Sequence, residues 1–121
     1  MDMKITIRQI GDVTVLDIAG RIVLGEECAS LRESVCDLLD KGHKKILINL
    51  ADVNYIDSSG LGQLVGTFTS VKKNQGELKL LNLTNKIQDL LQITKLYTVF
   101  EISDNEAAAI QSFGKSSAAG A

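Results

Sequence analysis

Apolar residues recur along the chain with two different periods. Residues 4–10 and 13–20 carry apolar side chains at near-alternating positions, which is typical of half-buried strands. Gly11 and Asp12 lie between these two runs, and such a dipeptide favours a two-residue turn. The pattern therefore predicts an N-terminal β-hairpin.

After the hairpin, helical and strand periods alternate. A helical repeat ends at Gly42, where a left-handed residue is favoured, and a continuous apolar run at 44–50 follows it. Such a run is expected of a central strand that is covered on both faces. A second helical repeat ends at Gly76 and precedes a third strand pattern at 77–83.

The last third of the chain continues the alternation. Thr84 or Asn85 can cap a short helix, residues 97–102 form a strand pattern, and Ser103 or Asp104 can open a final helix. The predicted order is β-β-α-β-α-β-α-β-α. We therefore expect an α/β fold with a mixed β-sheet, built from the N-terminal hairpin and then alternating strands and helices, with the helices packed against it.

Length and charge narrow the class of protein. The 121 residues contain no proline and no linker, so we expect one domain over residues 1–114 and a disordered, small and polar tail at 115–121. Net charge is −2 and the 13 Lys and Arg are scattered, which argues against direct binding of nucleic acid. The apolar runs are too short to insert in a membrane, and the N-terminus lacks the apolar region of a secretory signal. We expect a cytoplasmic protein.

The cysteines and the histidine do not favour a metal site. Cys28 and Cys36 lie eight residues apart on one predicted helix, which separates their Cα atoms by about 12 Å, too far for a disulfide. We expect both to be reduced and buried. His43 is the only histidine and no Cys-x-x-Cys is present, so no metal ligand set is predicted.

The segment DSSGLG at 57–62 has the most distinctive composition in the chain. Its glycines continue as G-x-G-x-x-x-G, whereas the dinucleotide fingerprint requires its third glycine where Val65 stands. The chain also lacks a phosphate-binding G-x-x-x-x-G-K-[ST] loop, so no cofactor is predicted. A catalytic serine would need G-x-S-x-G and a nearby base, and His43 is expected to be a solvated loop residue. We do not expect an enzyme.

An N-cap is the simplest role for the segment. Asp57, Ser58 or Ser59 could each accept a hydrogen bond from the first turn of the following helix, an interaction worth about 1 kcal/mol. A cap needs only one such residue. Gly60 and Gly62 cost about 0.8–1 kcal/mol each within a helix, and they remove side chains from its exposed first turn. A polypeptide partner could then approach the backbone closely and reach the serines.

The residues from 4 to about 113 resemble a STAS domain of the bacterial anti-sigma-factor antagonist family. The resemblance depends on LINLADVNYIDSSGLGQLV at 47–65 and on GELKLLNLTNKIQDLLQITKLYTVF at 76–100. It implies that the unphosphorylated chain binds an anti-sigma factor that is also a serine kinase, which frees the sigma factor. The kinase then phosphorylates the serine directly after the aspartate, Ser58, and a PP2C-type phosphatase reverses the modification. The residues Asp57, Ser59, Gly60, Leu61 and Gly62 would surround the phosphorylation site and contact the partner.

We expect phosphorylation on Ser58 and not on Ser59, because a hydroxyl in the turn before a helix should be more accessible than one inside its first turn. One segment departs from the family pattern. Many of these antagonists carry G-E-L-D-x-x-T-A before the first helix, whereas residues 20–29 read GRIVLGEECA, with Val23 in the position of the aspartate. The difference leaves the identity of the partner open, and a second interpretation is that Ile22, Val23 and Leu24 only extend the strand and its packing in the core. An alternative function is that of a STAS module in a signalling scaffold or of a cytoplasmic accessory to a transport system.

Overall fold

The computed structural model describes residues 3–22 and 26–113, with side chains described from residue 4 and, in the first helix, from residue 31. The regular elements in chain order are β1 (Met3–Ile10), β2 (Val13–Ile22), α1 (Glu26–Asp40), β3 (Lys45–Ile56), α2 (Ser58–Lys73), β4 (Glu77–Leu81), α3 (Asn85–Thr94), β5 (Glu101–Ser103) and α4 (Glu106–Ser112). A single 3₁₀ turn, Leu96–Thr98, joins α3 to the residues before β5.

The five described strands form one mixed sheet in the order β1-β2-β3-β4-β5. β1 and β2 are antiparallel, with Ile10 opposite Val13, and the three remaining pairs are parallel. Gly11 has a φ of +61°, a left-handed conformation that glycine adopts without steric cost. The predicted hairpin and the predicted mixed α/β fold are both confirmed.

The two faces of the sheet bury cores of different size. One face packs against α1, α2 and α3 and contributes to a cluster of 20 buried apolar residues. The other face packs against α4, and six buried residues form its cluster: Val13, Val15, Leu47, Leu81, Ala109 and Phe113. In β3, Ile46 and Ile48 belong to the larger core and Leu47 to the smaller one, so this central strand is covered on both faces as predicted.

Polar side chains fasten both ends of α4 to the sheet. At its start, Arg8 Nη2 lies 2.7 Å from Glu106 Oε1, and Arg8 also donates to Asp17. The hydrogen bonds from Arg8, with a smaller contribution from Asn49, lower the pKa of Asp17 despite its partial burial. At the end of α4, the buried amino group of Lys79 donates to Ser112 Oγ at 2.8 Å. These contacts hold a seven-residue helix that would be too short to persist alone.

The strand predicted at 97–102 is wrong over most of its length. Lys95 takes a left-handed conformation with φ +62° after α3, the 3₁₀ turn follows, and β5 is limited to three residues. Tyr97 and Val99 are exposed, whereas Phe100 enters the larger core and meets Phe68 edge-on at 5.3 Å between ring centroids. The apolar pattern of this segment therefore reflects one buried anchor and several exposed residues, not a strand.

Several predicted boundaries shift. β3 continues to Ile56, six residues beyond the predicted end, and β4 ends at Leu81 instead of residue 83. Thr84 caps α3 as predicted. α4 is capped by Asn105, whose Oδ1 accepts from Ala108 N at 2.9 Å, and not by Ser103 or Asp104.

The second helix ends before Gly76, because α2 stops at Lys73 and Asn74 caps it. Gly76 is needed for a different reason: a Cβ there would lie 2.8 Å from the Lys44 carbonyl oxygen.

Cys36 is a free, half-buried thiol, whereas the side chain of Cys28 and the predicted tail at 115–121 lie outside the described residues. Among the described helices, none combines the length and the apolar character needed to cross a membrane.

Candidate functional site at the start of the second helix

The DSSGLG segment lies where β3 ends and α2 begins. Asp57 is in an extended conformation, and its Oδ1 accepts a hydrogen bond of 2.7 Å from Gly60 N. The Asp57 carbonyl oxygen accepts from Leu61 N at 2.9 Å, which is the first hydrogen bond of the helix. Asp57 is therefore the N-cap of α2, and the helix begins at Ser58.

Ser58 and Ser59 are both exposed residues of the first helical turn. The structure records no hydrogen bond from either hydroxyl to a described residue, so neither is held in a local cap or turn. The expectation that Ser58 precedes the helix while Ser59 lies inside it is wrong, because the aspartate takes the capping position. Exposure does not distinguish the two serines, and the assignment of phosphorylation to Ser58 stays a prediction.

Gly60 and Leu61 point into the protein. Gly60 is buried, and a Cβ added to it would lie 2.0 Å from the Ile22 carbonyl oxygen at the end of β2. Leu61 is 3% exposed and belongs to the larger core. The expectation that Gly60 clears the exposed side of the turn is therefore wrong, and the side chain of Leu61 faces the sheet instead of a partner.

Gly62 has the opposite surroundings. It is exposed, and a Cβ added to it would meet no atom within 4 Å. Nothing in the described part of the fold requires glycine there. Ser58, Ser59 and Gly62 together form the exposed side of the first turn of α2, which we call the serine face. This surface presents two hydroxyls beside backbone that lacks a side chain.

An aromatic side chain with two cations lies beside the serine face. The Arg21 guanidinium carbon is 5.1 Å from the centroid of the Tyr55 ring, and Lys86 Nζ is 5.3 Å from the same centroid. We call these three residues the Tyr55 cluster. The cluster was not apparent from the sequence, because Arg21, Tyr55 and Lys86 lie on three different elements. The one signal in the sequence was a tyrosine two residues before the DSSGLG segment.

The described residues do not assemble a catalytic centre around the serines. His43 precedes β3, whereas Ser58 follows it, so the 12 residues of this strand separate them by about 40 Å. No three His, Cys, Asp or Glu side chains converge within the described ranges. An open depression at the carboxyl ends of β4 and β5 is lined by neutral and acidic groups, with no Lys or Arg: Ala51, Asn82, Leu83, Thr84, Gln88, Ile102, Ser103 and Asp104. A phosphate-bearing cofactor would find no cation in that lining.

The geometry defines a small α/β domain that displays two hydroxyls at the start of a helix, and no described histidine lies beside them. Comparison with known proteins agrees with this class. The sequence profile of the STAS domain matches residues 4–109. The anti-sigma-B factor antagonist of Bacillus subtilis is 37% identical over 111 residues, which cover 92% of this chain and 100% of that protein. The antagonist of the same name from Staphylococcus aureus is 34% identical over 74 residues, or 61% of this chain and 68% of that protein.

Solved structures share the fold. A protein described as an anti-sigma factor antagonist of Thermotoga maritima superimposes with a TM-score of 0.78 at 27% identity, over 88% of this chain and 92% of that one. The Bacillus cell fate determinant SpoIIAA in its phosphorylated form has a TM-score of 0.70 at 19% identity, over 89% and 97% of the two chains. The chain belongs to the STAS domain family, and its curated relatives place it among the anti-sigma-factor antagonists.

The segment in which the chain departs from the family pattern is described in part. Gly20, Arg21 and Ile22 end β2, whereas residues 23–25 and the side chains of residues 26–30 lie outside the described residues. The expected effect of Val23 on the choice of partner therefore stays a prediction.

Proposed function

We propose that the unphosphorylated chain binds, through the serine face, an anti-sigma factor that is also an ATP-using serine kinase, and so frees a sigma factor. The kinase phosphorylates Ser58 and the complex dissociates. A PP2C-type phosphatase restores the binding form. The chain is then a binding module and a kinase substrate in the cytoplasm, and not itself an enzyme.

The observation that carries this proposal is the exposure of two hydroxyls, for which no hydrogen bond to a described residue is recorded, beside the bare backbone of Gly62. A kinase must bring the hydroxyl and several residues around it into its active site, which a surface without a projecting side chain favours. The resemblance to the family motif supports modification of the residue directly after the aspartate, which is Ser58. The similarity of this chain to the Bacillus subtilis antagonist over nearly its whole length supports the same class of partner.

Phosphorylation at this position is expected to act on the complex and not on the fold. A phosphoserine carries a charge of about −1.5 to −2 at neutral pH, and the start of a helix favours a negative charge by about 0.3–1 kcal/mol. Asp57 opposes it from the adjacent position, so the effects on the free protein largely cancel. In an interface, a dianion without a cationic partner carries a desolvation penalty of several kcal/mol. Because each 1.4 kcal/mol changes affinity about tenfold, that penalty is enough to release the partner.

The test begins with the purified chain and the anti-sigma-factor serine kinases that are encoded in the genome of the same organism. Wild-type protein, Ser58→Ala and Ser59→Ala are incubated with each kinase and ATP, and phosphopeptides are mapped by mass spectrometry. We expect phosphate on Ser58 in the wild type and in Ser59→Ala, and none in Ser58→Ala. Phosphate mainly on Ser59, or undiminished labelling of Ser58→Ala, would contradict the assignment.

Calorimetric titration then measures affinity for the kinase without ATP. We expect unmodified protein and Ser58→Ala to bind, and phosphorylated protein to bind at least about a hundredfold more weakly, which corresponds to two steps of 1.4 kcal/mol. Equal affinity of the phosphorylated and unmodified forms would refute the switch. Absence of binding to every such kinase, together with recovery of a membrane transport protein, would favour the alternative function.

A further inference from the structure

The Tyr55 cluster joins three elements at the end of the sheet that carries the serine face. Arg21 lies opposite Tyr55 in the parallel register of β2 and β3, and Lys86 is in the first turn of α3. All three residues are exposed, with 36% of Tyr55 accessible. An aromatic ring attracts cations to its face. The ring therefore holds two positive charges in defined places on an otherwise open surface.

The two cations of the cluster are held against an aromatic ring, and no ion pair to a described carboxylate is recorded for either of them. Other cations of the described residues do contact acids: Arg8 pairs with Asp17 and Glu106, and the recorded lysine pairs include Lys41 with Asp37, Lys45 with Asp12 and Lys79 with Glu101. Within the described side chains, no ion pair is recorded for Arg21 or Lys86. Among the described residues, an aromatic ring and not a carboxylate therefore positions these two charges.

The stability of α3 does not explain the location of Lys86. The first turn of a helix carries the positive end of the helix dipole, which disfavours a cation there. This turn contains no acidic residue that could offset the charge. Arg21 and Lys86 therefore bring two positive charges to one place on a chain whose net charge is −2.

The cluster and the serine face are adjacent. Ile22 follows Arg21 in the chain, and its carbonyl oxygen is the atom that approaches Gly60 in the first turn of α2. Tyr55 precedes the N-cap Asp57 by two residues. A protein seated on the serine face therefore extends over the cluster as soon as its contact area reaches the usual size, about 800 Å² on each side.

We propose that the Tyr55 cluster is a docking surface for an acidic segment of the protein that binds the serine face. Asp or Glu carboxylates of that protein contact Arg21 and Lys86, while Tyr55 provides a rigid apolar surface between them. Tyrosine and arginine are enriched among the residues that dominate binding at interfaces. The identity of the partner rests on the proposed function, whereas the recognition of an acidic segment does not.

The first test uses hexaglutamate peptide as the probe and no other protein. Backbone amide shifts of the isotope-labelled full chain are followed by NMR at low ionic strength during titration with this peptide. We expect shifts centred on residues 21, 55 and 86, and apparent affinity about tenfold lower for the double variant Arg21→Gln/Lys86→Gln. The matched control Lys72→Gln/Lys73→Gln removes the same charge from exposed lysines at the far end of α2 and should bind the peptide like the wild type.

Variants of Tyr55 test whether peptide binding depends on the aromatic ring that positions Arg21 and Lys86, in addition to the charges of these two residues. Tyr55→Phe retains the ring and should bind the peptide like the wild type, whereas Tyr55→Leu keeps both cations but should bind several-fold more weakly. Peptide binding that is the same in Arg21→Gln/Lys86→Gln as in the wild type overturns the proposal. So does a cluster-dependent affinity for phosphatidylglycerol vesicles that exceeds the affinity for the peptide, since the surface would then serve a membrane.

The second test measures association with the kinase identified under the proposed function, by stopped flow at several salt concentrations. We expect Arg21→Gln/Lys86→Gln to lower the association rate constant about tenfold at low salt and to weaken its salt dependence, with a smaller change in the dissociation rate constant. Lys72→Gln/Lys73→Gln should match the wild type. If the kinase binds with the same rate constants to both double variants, the docking role is wrong while the proposed function stands. If no kinase binds, the proposed function fails and the peptide titration still decides the acidic preference.

Discussion

Gly60 and Gly62 lie two residues apart in one helical turn and have opposite surroundings. Gly60 is buried, and the Ile22 carbonyl oxygen leaves no room for a Cβ. Gly62 is exposed, and nothing surrounds it within 4 Å of a Cβ position. The first glycine lets α2 begin close to the end of β2, and the second adds no side chain to the exposed surface that carries the two serines. One short motif thus contains a glycine that the packing of the interior requires and a glycine that only the exposed surface could require.

Replacing Gly60 should have the largest effect. In Gly60→Ala the new Cβ would lie 2.0 Å from a backbone oxygen, so either the start of α2 or the end of β2 must move. We expect the free energy of unfolding to fall by about 3 kcal/mol, the upper range for added atoms in a packed interior. Urea denaturation measures this change. Full stability in Gly60→Ala would remove the distinction between the inner and outer glycine.

Loss of the cap should have the next largest effect. Asp57→Ala removes the acceptor of the Gly60 N–H and should destabilise the protein by about 1 kcal/mol. Asp57→Asn is the matched control, since asparagine caps helices as well as aspartate does. Equal destabilisation in both variants would show that the negative charge of Asp57, and not its hydrogen bond, stabilises this turn.

Gly62→Ala should change stability and binding in opposite directions. The backbone at Gly62 is helical and open, so alanine is expected to raise the free energy of unfolding by about 0.5–1 kcal/mol. Against the kinase, the added Cβ should lower affinity about tenfold, since overpacking an interface by one carbon costs about 1–3 kcal/mol. Thermal melting and calorimetric titration give the two values. A stabilised variant with unchanged affinity would leave the outer glycine without a role in binding.

A charge at the first helical position should have the smallest effect on the fold. Ser58→Asp places a carboxylate where the helix start favours it and Asp57 opposes it, so we expect stability to change by less than about 0.5 kcal/mol. Ser59→Asp is its control at the next position. If the free energy of unfolding of Ser58→Asp, measured by urea denaturation, falls by more than about 1 kcal/mol, the charge destabilises the first turn of α2 and does not act on the binding surface alone.

The sequence predicted the elements whose apolar period is regular and whose ends carry Gly or a capping residue. The hairpin, the central strand and the start of α3 at Thr84 are examples. It failed at 97–102, because alternation in sequence cannot distinguish a strand from an irregular segment anchored by Phe100 alone. The N-cap of α4 was also mispredicted, because Ser103, Asp104 and Asn105 all have side chains that can cap a helix. Ser103 still belongs to β5, and Asn105 is the residue that takes the capping position.

The candidate site was predictable to the extent that it is contiguous in the chain. Asp57, the two serines and the glycines are visible as a motif, although the inner and outer positions are not. The Tyr55 cluster was not predictable, because the pairing of Arg21 with Tyr55 follows two register shifts between β2 and β3. Each shift moves later residues relative to the partner strand, and nothing in either sequence segment alone specifies it.

The smaller core also has a consequence for synthesis on the ribosome. Its sheet side consists of residues from β2, β3 and β4 and is complete once Leu81 has been translated, whereas Ala109 and Phe113 belong to the end of the chain. Roughly 30 residues separate Leu81 from the part of the chain that contains Ala109 and Phe113. At about 5–20 residues translated per second, the apolar face of the sheet stays uncovered for a few seconds until α4 has been synthesised. Most of the larger core precedes Leu81 in the chain, since α1, α2 and β2 to β4 contribute to it, and Ile87, Leu91 and Phe100 complete it later. In the nascent chain, the serine face should therefore form before α4 covers the smaller core.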